Sequence, residues 1–322
     1  MTASDTLGAI GESATLQRIF PRLPAAASAL LGPGDDAAVV AAPDGRFVVT
    51  TDMMIHGPDF RLAWSSPHDL GWKAAASNLA DVAAMGAVPT ALVVAIAAPP
   101  DSPVSLLEGI ADGLRDACAE LAPGCGVVGG DLSASTTLSI AVTAFGDLSG
   151  RTPVLRSGAR VGDVVAVCGV LGDAALALRL LFTEAVGADG EPSSALAATL
   201  RSRTAAQLAP RPPIAAGQVA ALAGATAMLD LSDGLAIDAA RLARASSVRL
   251  DFDSAALGPD PLLALGGGED HSLLASFPAS VPLPVGFRRI GVVVDGAGIS
   301  LDGEPYDAGG WDPYTGWNGG QG

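Results

Sequence analysis

Residues 66–98 read SPHDLGWKAAASNLADVAAMGAVPTALVVAIAA and contain two consecutive elements of regular structure. Ser66 followed by Pro67 is typical of a helix start, because the N–H that proline lacks would have no intrahelical partner at that position. The alanine-rich stretch predicts a helix from Pro67 to Gly86, and the apolar residues 90–98 predict a strand. One aspartate, Asp81, lies inside the predicted helix among apolar neighbours.

The alternation of β-rich and alanine-rich stretches continues in both directions and predicts an α/β (α+β) fold. Further strands are predicted at 46–52, 126–131, 138–145, 163–168 and 228–232, and further helices at 104–121, from about 173 and at 234–245. A polar, glycine-containing stretch at 146–162 is the predicted boundary between two domains. We therefore divide the chain into residues 1–148 and 149–322.

The composition of the chain disfavours some classes of binding partner and predicts where the protein is located. The 322-residue chain has 18 basic and 34 acidic side chains, a formal net charge of −16, which disfavours nucleic acid and anionic membranes as partners. The longest apolar run, residues 91–100, is far shorter than the roughly 20 residues of a membrane-spanning helix. Residues 1–12 do not resemble a secretion signal, and the three cysteines form no C-x-x-C pair. These features predict a cytoplasmic protein.

Lys73 is the only lysine of the chain, so the phosphate-binding motif G-x-x-x-x-G-K-[ST] is absent. Aspartates instead recur beside glycine or hydroxyl residues, and Asp52 and Asp131 are predicted to end strands. The set comprises Asp35 and Asp36 in GPGDD, Asp52 in TTD, Asp81 in NLAD, Asp131 in GGD, and Asp230 and Asp233 in DLSDG. Carboxylates that converge on one cleft repel one another unless cations neutralise them, and hard oxygen ligands of this kind suit Mg²⁺. The pattern indicates metal-assisted handling of phosphates.

Seven collinear segments carry a family resemblance. They are GPGDDAAVV (32–40), TTDMMIHGPDF (50–60), GWKAAASNLADVAAMGAVP (71–89), GGDLS (129–133), LRSGARVGD (155–163), LDLSDGLAIDAARLA (229–243) and GGGED (266–270). The chain resembles the thiamine-monophosphate kinases of the aminoimidazole ribonucleotide synthetase superfamily, and the resemblance extends from about residue 8 to residue 311.

The resemblance implies phosphorylation of thiamine monophosphate to thiamine diphosphate by ATP, assisted by several Mg²⁺ ions, without a covalent enzyme intermediate. It implies a two-domain fold in which residues 1–148 bind metal and nucleotide, and a homodimer in which the N-terminal sheets pair. The implied metal ligands are Asp36, Thr50, Thr51, Asp52, Asp81, Asp131, Asp230 and Asp233. The implied nucleotide contacts are Gly130, Asp131, Arg156 and Ser232, and the implied substrate contacts are Asp59, Glu269 and Trp311.

The chain departs from the family pattern at three places: Asp59 stands where histidine is frequent, His271 where tyrosine is common, and Trp311-Asp312-Pro313 where an aromatic residue precedes Asp-His-Phe. Two alternatives stay open from the sequence. One is another ATP-dependent reaction of the same superfamily, similar to aminoimidazole ribonucleotide synthetase. The other is a module that binds nucleotide or thiamine phosphate without catalysis. Lys73, two turns before Asp81, is predicted to pair with that aspartate.

Overall fold

The N-terminal half of the chain contains a four-stranded sheet covered on one face by helices. A computed structural model describes residues 6–32 and 37–307. The elements of this half are α1 (Leu7–Ile19), β1 (Ala29–Leu31), β2 (Val39–Val40), β3 (Val48–Ile55), α2 (Pro67–Ala84), β4 (Val88–Ala98), α3 (Val104–Leu121), β5 (Gly126–Ala134) and β6 (Ser139–Asp147), with a 3₁₀ turn at Phe20–Arg22.

The C-terminal half contains a seven-stranded sheet and six helices within the described ranges. Its elements are β7 (Val164–Cys168), α4 (Asp173–Glu184), α5 (Ser194–Thr199), α6 (Arg201–Leu208), α7 (Ile214–Leu222), β8 (Ala227–Asp230), α8 (Leu235–Ser246), β9 (Arg249–Phe252), α9 (Pro261–Gly266), β10 (Leu273–Phe277), β11 (Phe287–Val294), β12 (Gly298–Leu301) and β13 (Glu304–Tyr306), with a 3₁₀ turn at Ser254–Ala256.

Both large sheets are mixed. The N-terminal sheet has the order β3-β6-β4-β5, in which only β4 and β5 run parallel. The C-terminal sheet has the order β13-β12-β9-β11-β7-β10-β8, in which only β12 and β9 are parallel. The α/β (α+β) class predicted from the sequence is confirmed. In the described ranges no strand pairing joins the two sheets, and the domain limits at 148 and 149 stay a prediction.

Helix α2 begins where the sequence predicts, because Ser66 and Asp69 form a capping box and Pro67 occupies the first turn. It ends at Ala84, two residues before the predicted end, since Gly86 adopts a left-handed φ of +74°. The helix lies against α3 at a close crossing. A Cβ built on Gly71 would lie 1.9 Å from the carbonyl oxygen of Ile110, so only glycine permits this approach.

Two strand ends differ from the prediction. Strand β3 continues to Ile55 and β5 continues to Ala134, so Asp52 and Asp131 lie inside strands rather than at their ends. The reason is continuous pairing with neighbours that local sequence does not reveal: Asp52 lies opposite Val142 and Asp131 lies opposite Ala95. In the part of the chain that the structure describes, no helix is both long and apolar enough to cross a membrane.

The crossing of α2 and α3 yields a stability prediction. Gly71→Ala should lower the free energy of unfolding by about 3 kcal/mol, because the added methyl group collides with backbone that cannot yield cheaply. Gly266→Ala is the matched control, since a Cβ there meets nothing within 4 Å. Urea denaturation followed by circular dichroism measures both, and equal stability of the two variants would contradict the close crossing.

Candidate active site

One side of α2 presents polar groups at intervals of one helical turn: Lys73, Ser77 and Asp81. The hydroxyl of Thr50, on β3, donates a hydrogen bond of 2.7 Å to the Asp81 carboxylate. Two residues along the strand, the backbone N–H of Asp52 donates to the side-chain oxygen of Asn78 at 3.1 Å. Alternate residues of β3 therefore face α2, and these contacts bring the carboxylates of Asp52 and Asp81 into one region.

The C-terminal half meets this region through His271 and Asp230. The Nδ1 atom of His271 lies 3.2 Å from the Asp230 carboxylate, and Nε2 lies 3.2 Å from the Ser77 hydroxyl. The Ser77 hydroxyl donates its hydrogen to the carbonyl oxygen of Lys73 at 3.0 Å, so it can only accept from Nε2. Burial lowers the pKa of His271, but the hydrogen bond to Asp230 and the charge of that carboxylate outweigh burial and raise the pKa above its ordinary value, which favours the form in which both ring nitrogens donate.

The turn that follows α9 sends consecutive side chains in different directions. Glu269 and His271 have positive φ values of 72° and 51°, a conformation that costs non-glycine residues free energy. Asp270 points the other way and accepts hydrogen bonds from the backbone N–H groups of Gly172 and Ala174, at 2.5 and 2.8 Å, at the start of α4. The strained turn thereby aims Glu269 and His271 at α2.

Lys73 forms an ion pair with Glu269 across the two halves. The prediction that it pairs with Asp81 is wrong, because α2 directs Lys73 toward the 269–271 turn while Asp81 bonds Thr50. Burial raises the pKa of Glu269, but the charges of Lys73 and His271 outweigh that effect and hold the pKa below its usual value. Glu269 therefore stays ionised, and its charge is shared with the lysine.

Asp233 follows β8 and lies at the entrance to α8. Its carboxylate accepts a hydrogen bond from Arg241 at 2.5 Å, and its backbone N–H donates to the carboxylate of Asp238 at 2.9 Å. Burial raises the pKa of Asp238 to about 6. Ser232 does not cap α8, since Gly234 occupies the N-cap position without a side-chain bond; the Ser232 side chain is therefore available to a ligand.

The carboxylates of the two halves are close enough for their charges to shift one another's pKa values. Burial and the charge of Asp230 raise the pKa of Asp81 to about 7, although the bond from Thr50 lowers it. Burial also raises the pKa of Asp52; the charge of His271 opposes this rise and that of Asp230 adds to it. Asp52 on β3, Asp81 on α2 and Asp230 on β8 thus repel one another when all three are ionised. A cation between them would relieve this repulsion.

Two adjoining cavities open beside these groups. The first, here called the carboxylate cleft, has a volume of about 310 Å³ and is lined by Asp52, Asp59, Lys73, Ser77, Asn78, Ser232, Asp233, Glu269 and His271 among others. The second, here called the aromatic pocket, has a volume of about 340 Å³ and is lined by Asp59, Arg61, Trp64, Lys73, Phe182, Gln207, Ser232, Asp233 and Glu269 among others. The five shared residues show that the two cavities lie side by side.

The structure does not bring Asp131 and Thr51 to the carboxylate cleft. The pairing register places Thr51 and Asp131 on the sheet face opposite α2, whereas Thr50 and Asp52 face the helix. Asp131 is exposed and accepts a hydrogen bond from Ser133 at 2.8 Å. With β6 and β4 between them, β3 and β5 are about 14 Å apart, too far for Asp131 and Asp52 of one chain to bind the same ion.

The other predicted residues have separate positions. Asp59 lines both cavities and accepts a hydrogen bond from the N–H of Ile55 at 2.7 Å, and burial raises its pKa. Arg156 is exposed outside these cavities, with its carbonyl oxygen bonded to the Ser246 hydroxyl at 2.8 Å. Asp36 and Trp311 lie outside the described residues.

Gly130 borders a third cavity, which opens on the α3 side of the N-terminal sheet. It has a volume of about 170 Å³ and is lined by Gly129, Gly130 and Asp131 and by apolar residues that include Leu107, Ile110 and Leu114. A Cβ on Gly130 would lie 2.0 Å from the carbonyl oxygen of Val94, so glycine is required for the strands to pair there. This mostly apolar cavity next to a glycine pair suits a flat organic group.

Sequence reasoning missed Ser77, Asn78, His271 and Gln207 as members of the site. Ser77 and Asn78 precede Asp81 on α2, and helical spacing alone could have placed Ser77 on the same side. His271 and Gln207 gave no such signal, because each reaches the site through contacts with residues distant in sequence. In the described ranges no three acidic, histidine or cysteine side chains form a ready-made metal site.

Comparison with known proteins identifies similar chains. Residues 34–148 match the family model described as AIR synthase related protein, N-terminal domain. The thiamine-monophosphate kinase of Mycobacterium tuberculosis is 44% identical, covering 98% of this chain and 93% of its own. That of Corynebacterium glutamicum is 41% identical over 89% and 87%. A solved structure described as AaThiL complexed with AMPPCP and TMP is 33% identical, with a TM-score of 0.74 and coverage of 86% and 90%.

The raised pKa of Asp81, about 7, predicts a pH-dependent stability. The folded chain retains a proton that the unfolded chain loses near pH 4, so stability without metal should fall as pH rises from about 4 to about 7. In chelator at pH 8, Asp81→Asn should raise the melting temperature by roughly 2–4 °C, the change that about 1 kcal/mol produces in domains of about 150–250 residues. The gain should vanish at pH 4.

Differential scanning calorimetry across this pH range checks the prediction. The exposed Asp101, outside the cleft, provides the control variant Asp101→Asn, which should follow the wild-type profile. A melting temperature of Asp81→Asn below that of the wild type at pH 8 would show that Asp81 is stabilising and that the carboxylates do not repel one another.

Proposed function

Because the chain belongs to the thiamine-monophosphate kinase family, we propose that it transfers the γ-phosphoryl group of ATP to the phosphate of thiamine monophosphate, giving thiamine diphosphate and ADP. The observation that carries this proposal is the approach of Asp52 and Asp81 of one half to Asp230 of the other, next to the carboxylate cleft and the Lys73–Glu269 pair. It suits a reaction between two anions that have to be brought together. A cytoplasmic location stays a prediction.

The donor set fits Mg²⁺. This ion binds through one or two carboxylates together with waters and substrate phosphates, so a cage of three protein carboxylates is not required. We propose Thr50, Asp52, Asp81, Asp230 and Asp233, in and beside the carboxylate cleft, as the metal-binding groups; the predicted ligand Asp36 lies outside the described residues. When bound, the ions supply positive charge that screens the phosphates from one another and from the carboxylates.

The protein's own groups bind and orient the reactants. A phosphate monoester has a second pKa of about 6 and is largely ionised at neutral pH, so the attacking oxygen needs no strong general base. Asp230 raises the pKa of His271 against the opposing effect of burial, and the protonated ring that this favours is unsuited to act as a base. We assign it, together with Lys73, to partial neutralisation of the cleft. Catalysis then consists of alignment and electrostatic stabilisation.

Separate cavities are available for the two reactants. We propose that the apolar cavity beside Gly130 holds the nucleotide base, with Ser232 and Arg156 as further nucleotide contacts. The acceptor occupies the aromatic pocket, where Asp59 and Glu269 lie at the junction with the carboxylate cleft. The predicted substrate contact Trp311 is outside the described residues.

A direct test follows from this assignment. Wild-type protein with ATP, thiamine monophosphate and Mg²⁺ should form ADP and thiamine diphosphate in equal amounts, and chelator should abolish both. Asp81→Asn should reduce kcat at least 100-fold, because the variant removes a metal-binding charge while the bond to Thr50 can persist. Product chromatography measures turnover. Binding of thiamine monophosphate without turnover in the wild type would favour the non-catalytic module.

We further propose that the functional unit is a homodimer in which the outer faces of the two N-terminal sheets pair. This face exposes apolar side chains: Val49 is 54% exposed and Met53 is 59% exposed. Large exposed apolar patches mark interaction sites. Thr51 and Asp131 lie on the same face, too far apart in one chain to share a ligand. Pairing of the faces would place the partner subunit's Asp131 near Thr51 of β3.

Complementation tests this arrangement. Thr51→Val and Asp131→Asn chains should each be inactive alone, because both residues are predicted metal ligands on the outer face. Co-expressed, half of the dimers are mixed and have one intact site of two, so about a quarter of wild-type activity should return. Val49→Glu should convert the dimer to a monomer in analytical ultracentrifugation. An inactive mixture in which mixed dimers are demonstrated would contradict a shared site.

A further inference from the structure

Gln207, in the wall of the aromatic pocket, carries a buried hydrogen-bond acceptor without a donor. The residue, on α6, is only 6% exposed, and its side chain lines the pocket. Its Nε2 atom lies 3.4 Å from the Glu269 carboxylate. Because a carboxylate only accepts, the amide nitrogen faces Glu269 and the amide oxygen is fixed on the other side. Within residues 6–32 and 37–307, no group donates to that oxygen.

An unpaired acceptor of this kind is costly in a folded protein. Burying a polar group without its hydrogen bond disfavours the folded state, and such groups are therefore rare. The cost is recovered if a ligand supplies the donor. Gln207 lies beside Glu269, at the junction with the carboxylate cleft. It therefore belongs to the wall of the pocket in which thiamine monophosphate is proposed to bind.

The opposite part of the pocket is built from aromatic rings that already bind a flat cation. The guanidinium group of Arg61 lies 4.8 Å from the ring centre of Trp64 and 4.9 Å from that of Phe182. Trp64 is fixed in place because its indole N–H donates to the carbonyl oxygen of Ala185 at 3.1 Å. The two ring faces are therefore suited to a planar, positively charged group.

We propose that Gln207 determines specificity for thiamine monophosphate: its amide oxygen accepts a hydrogen bond from the exocyclic amine of the aminopyrimidine ring of the substrate. This inference rests on the proposed function and identifies the part of the substrate that the pocket recognises. The exocyclic amine is the only N–H donor of the thiamine moiety, whose hydroxyl is esterified in the monophosphate. The rings of the substrate pack against Trp64 and Phe182 in place of the Arg61 guanidinium, which binding displaces, and the phosphate extends into the carboxylate cleft. A volume of about 340 Å³ is within the range of small-molecule sites.

Removing the donor from the ligand and the acceptor from the protein, separately and together, tests the proposal. The ligand change is thiamine monophosphate with hydrogen in place of the amine, and the protein change is Gln207→Met, which preserves side-chain length. We expect kcat/KM of the wild type to fall about tenfold with the altered ligand. Gln207→Met should lose about tenfold with thiamine monophosphate and discriminate less than about twofold between the two ligands. The KM for ATP should stay unchanged.

The matched control is Gln218→Met, on α7 outside these cavities, which should discriminate as the wild type does. If Gln207→Met still rejects the altered ligand tenfold, or the wild type does not reject it, the proposal is wrong.

Should Gln207→Met not fold, the wild-type comparison decides alone. Phe182→Leu, at a side chain that is 51% exposed, should then raise the KM for thiamine monophosphate about fivefold without affecting that for ATP.

The outcomes separate this proposal from the proposed function. A wild-type protein that produces no thiamine diphosphate contradicts the kinase reaction itself. The same four combinations of ligand and protein are then compared by calorimetric dissociation constants, and the same tenfold pattern is expected. Turnover by the wild type without the tenfold pattern leaves the reaction intact and overturns the role of Gln207.

Discussion

The close crossing of α2 and α3 is the constraint on which the site depends. Without a Cβ at Gly71 and Gly113, the two backbones come into direct contact, and α2 is confined between α3, the N-terminal sheet and the C-terminal half. A helix confined on all sides cannot rotate or slide. Its polar residues Lys73, Ser77 and Asp81 therefore have fixed directions, and groups from three other segments can be placed against them.

The same confinement raises the electrostatic free energy of the site, because it holds carboxylates close together. Asp81 is held near other carboxylates in a partly buried place, and its pKa of about 7 measures how unfavourable its ionised form is there. Lys73 pairs with Glu269 and His271 lies against Asp230, so these two groups offset only part of the negative charge of the site. The proposed Mg²⁺ ions would balance the rest. Under this proposal the anionic substrates bind together with metal and poorly without it, since the phosphates alone would be repelled.

Local signals in the sequence determined a large part of the fold. The predicted helix at 104–121 coincides with α3, and the start of α2 was evident from Ser66 and Pro67 because capping is a property of neighbouring residues. Features that depend on distant partners were not predictable. The pairing of Lys73 with Glu269 requires knowledge of how the two halves meet, and the length of β5 depends on its pairing with β4.

Sequence motifs do not show on which face of the sheet a residue lies, and Asp131 is the clearest example. Motifs present Thr51, Asp52 and Asp131 as one set of ligands, yet the alternation of side chains along a strand sends Thr51 and Asp52 to opposite faces. An irregularity between Leu92 and Val93 in the pairing of β4 with β5 then fixes the side of Asp131. One sheet thus separates these predicted ligands within a single chain, and in the proposed dimer the second sheet would place the partner subunit's Asp131 on the face of Thr51.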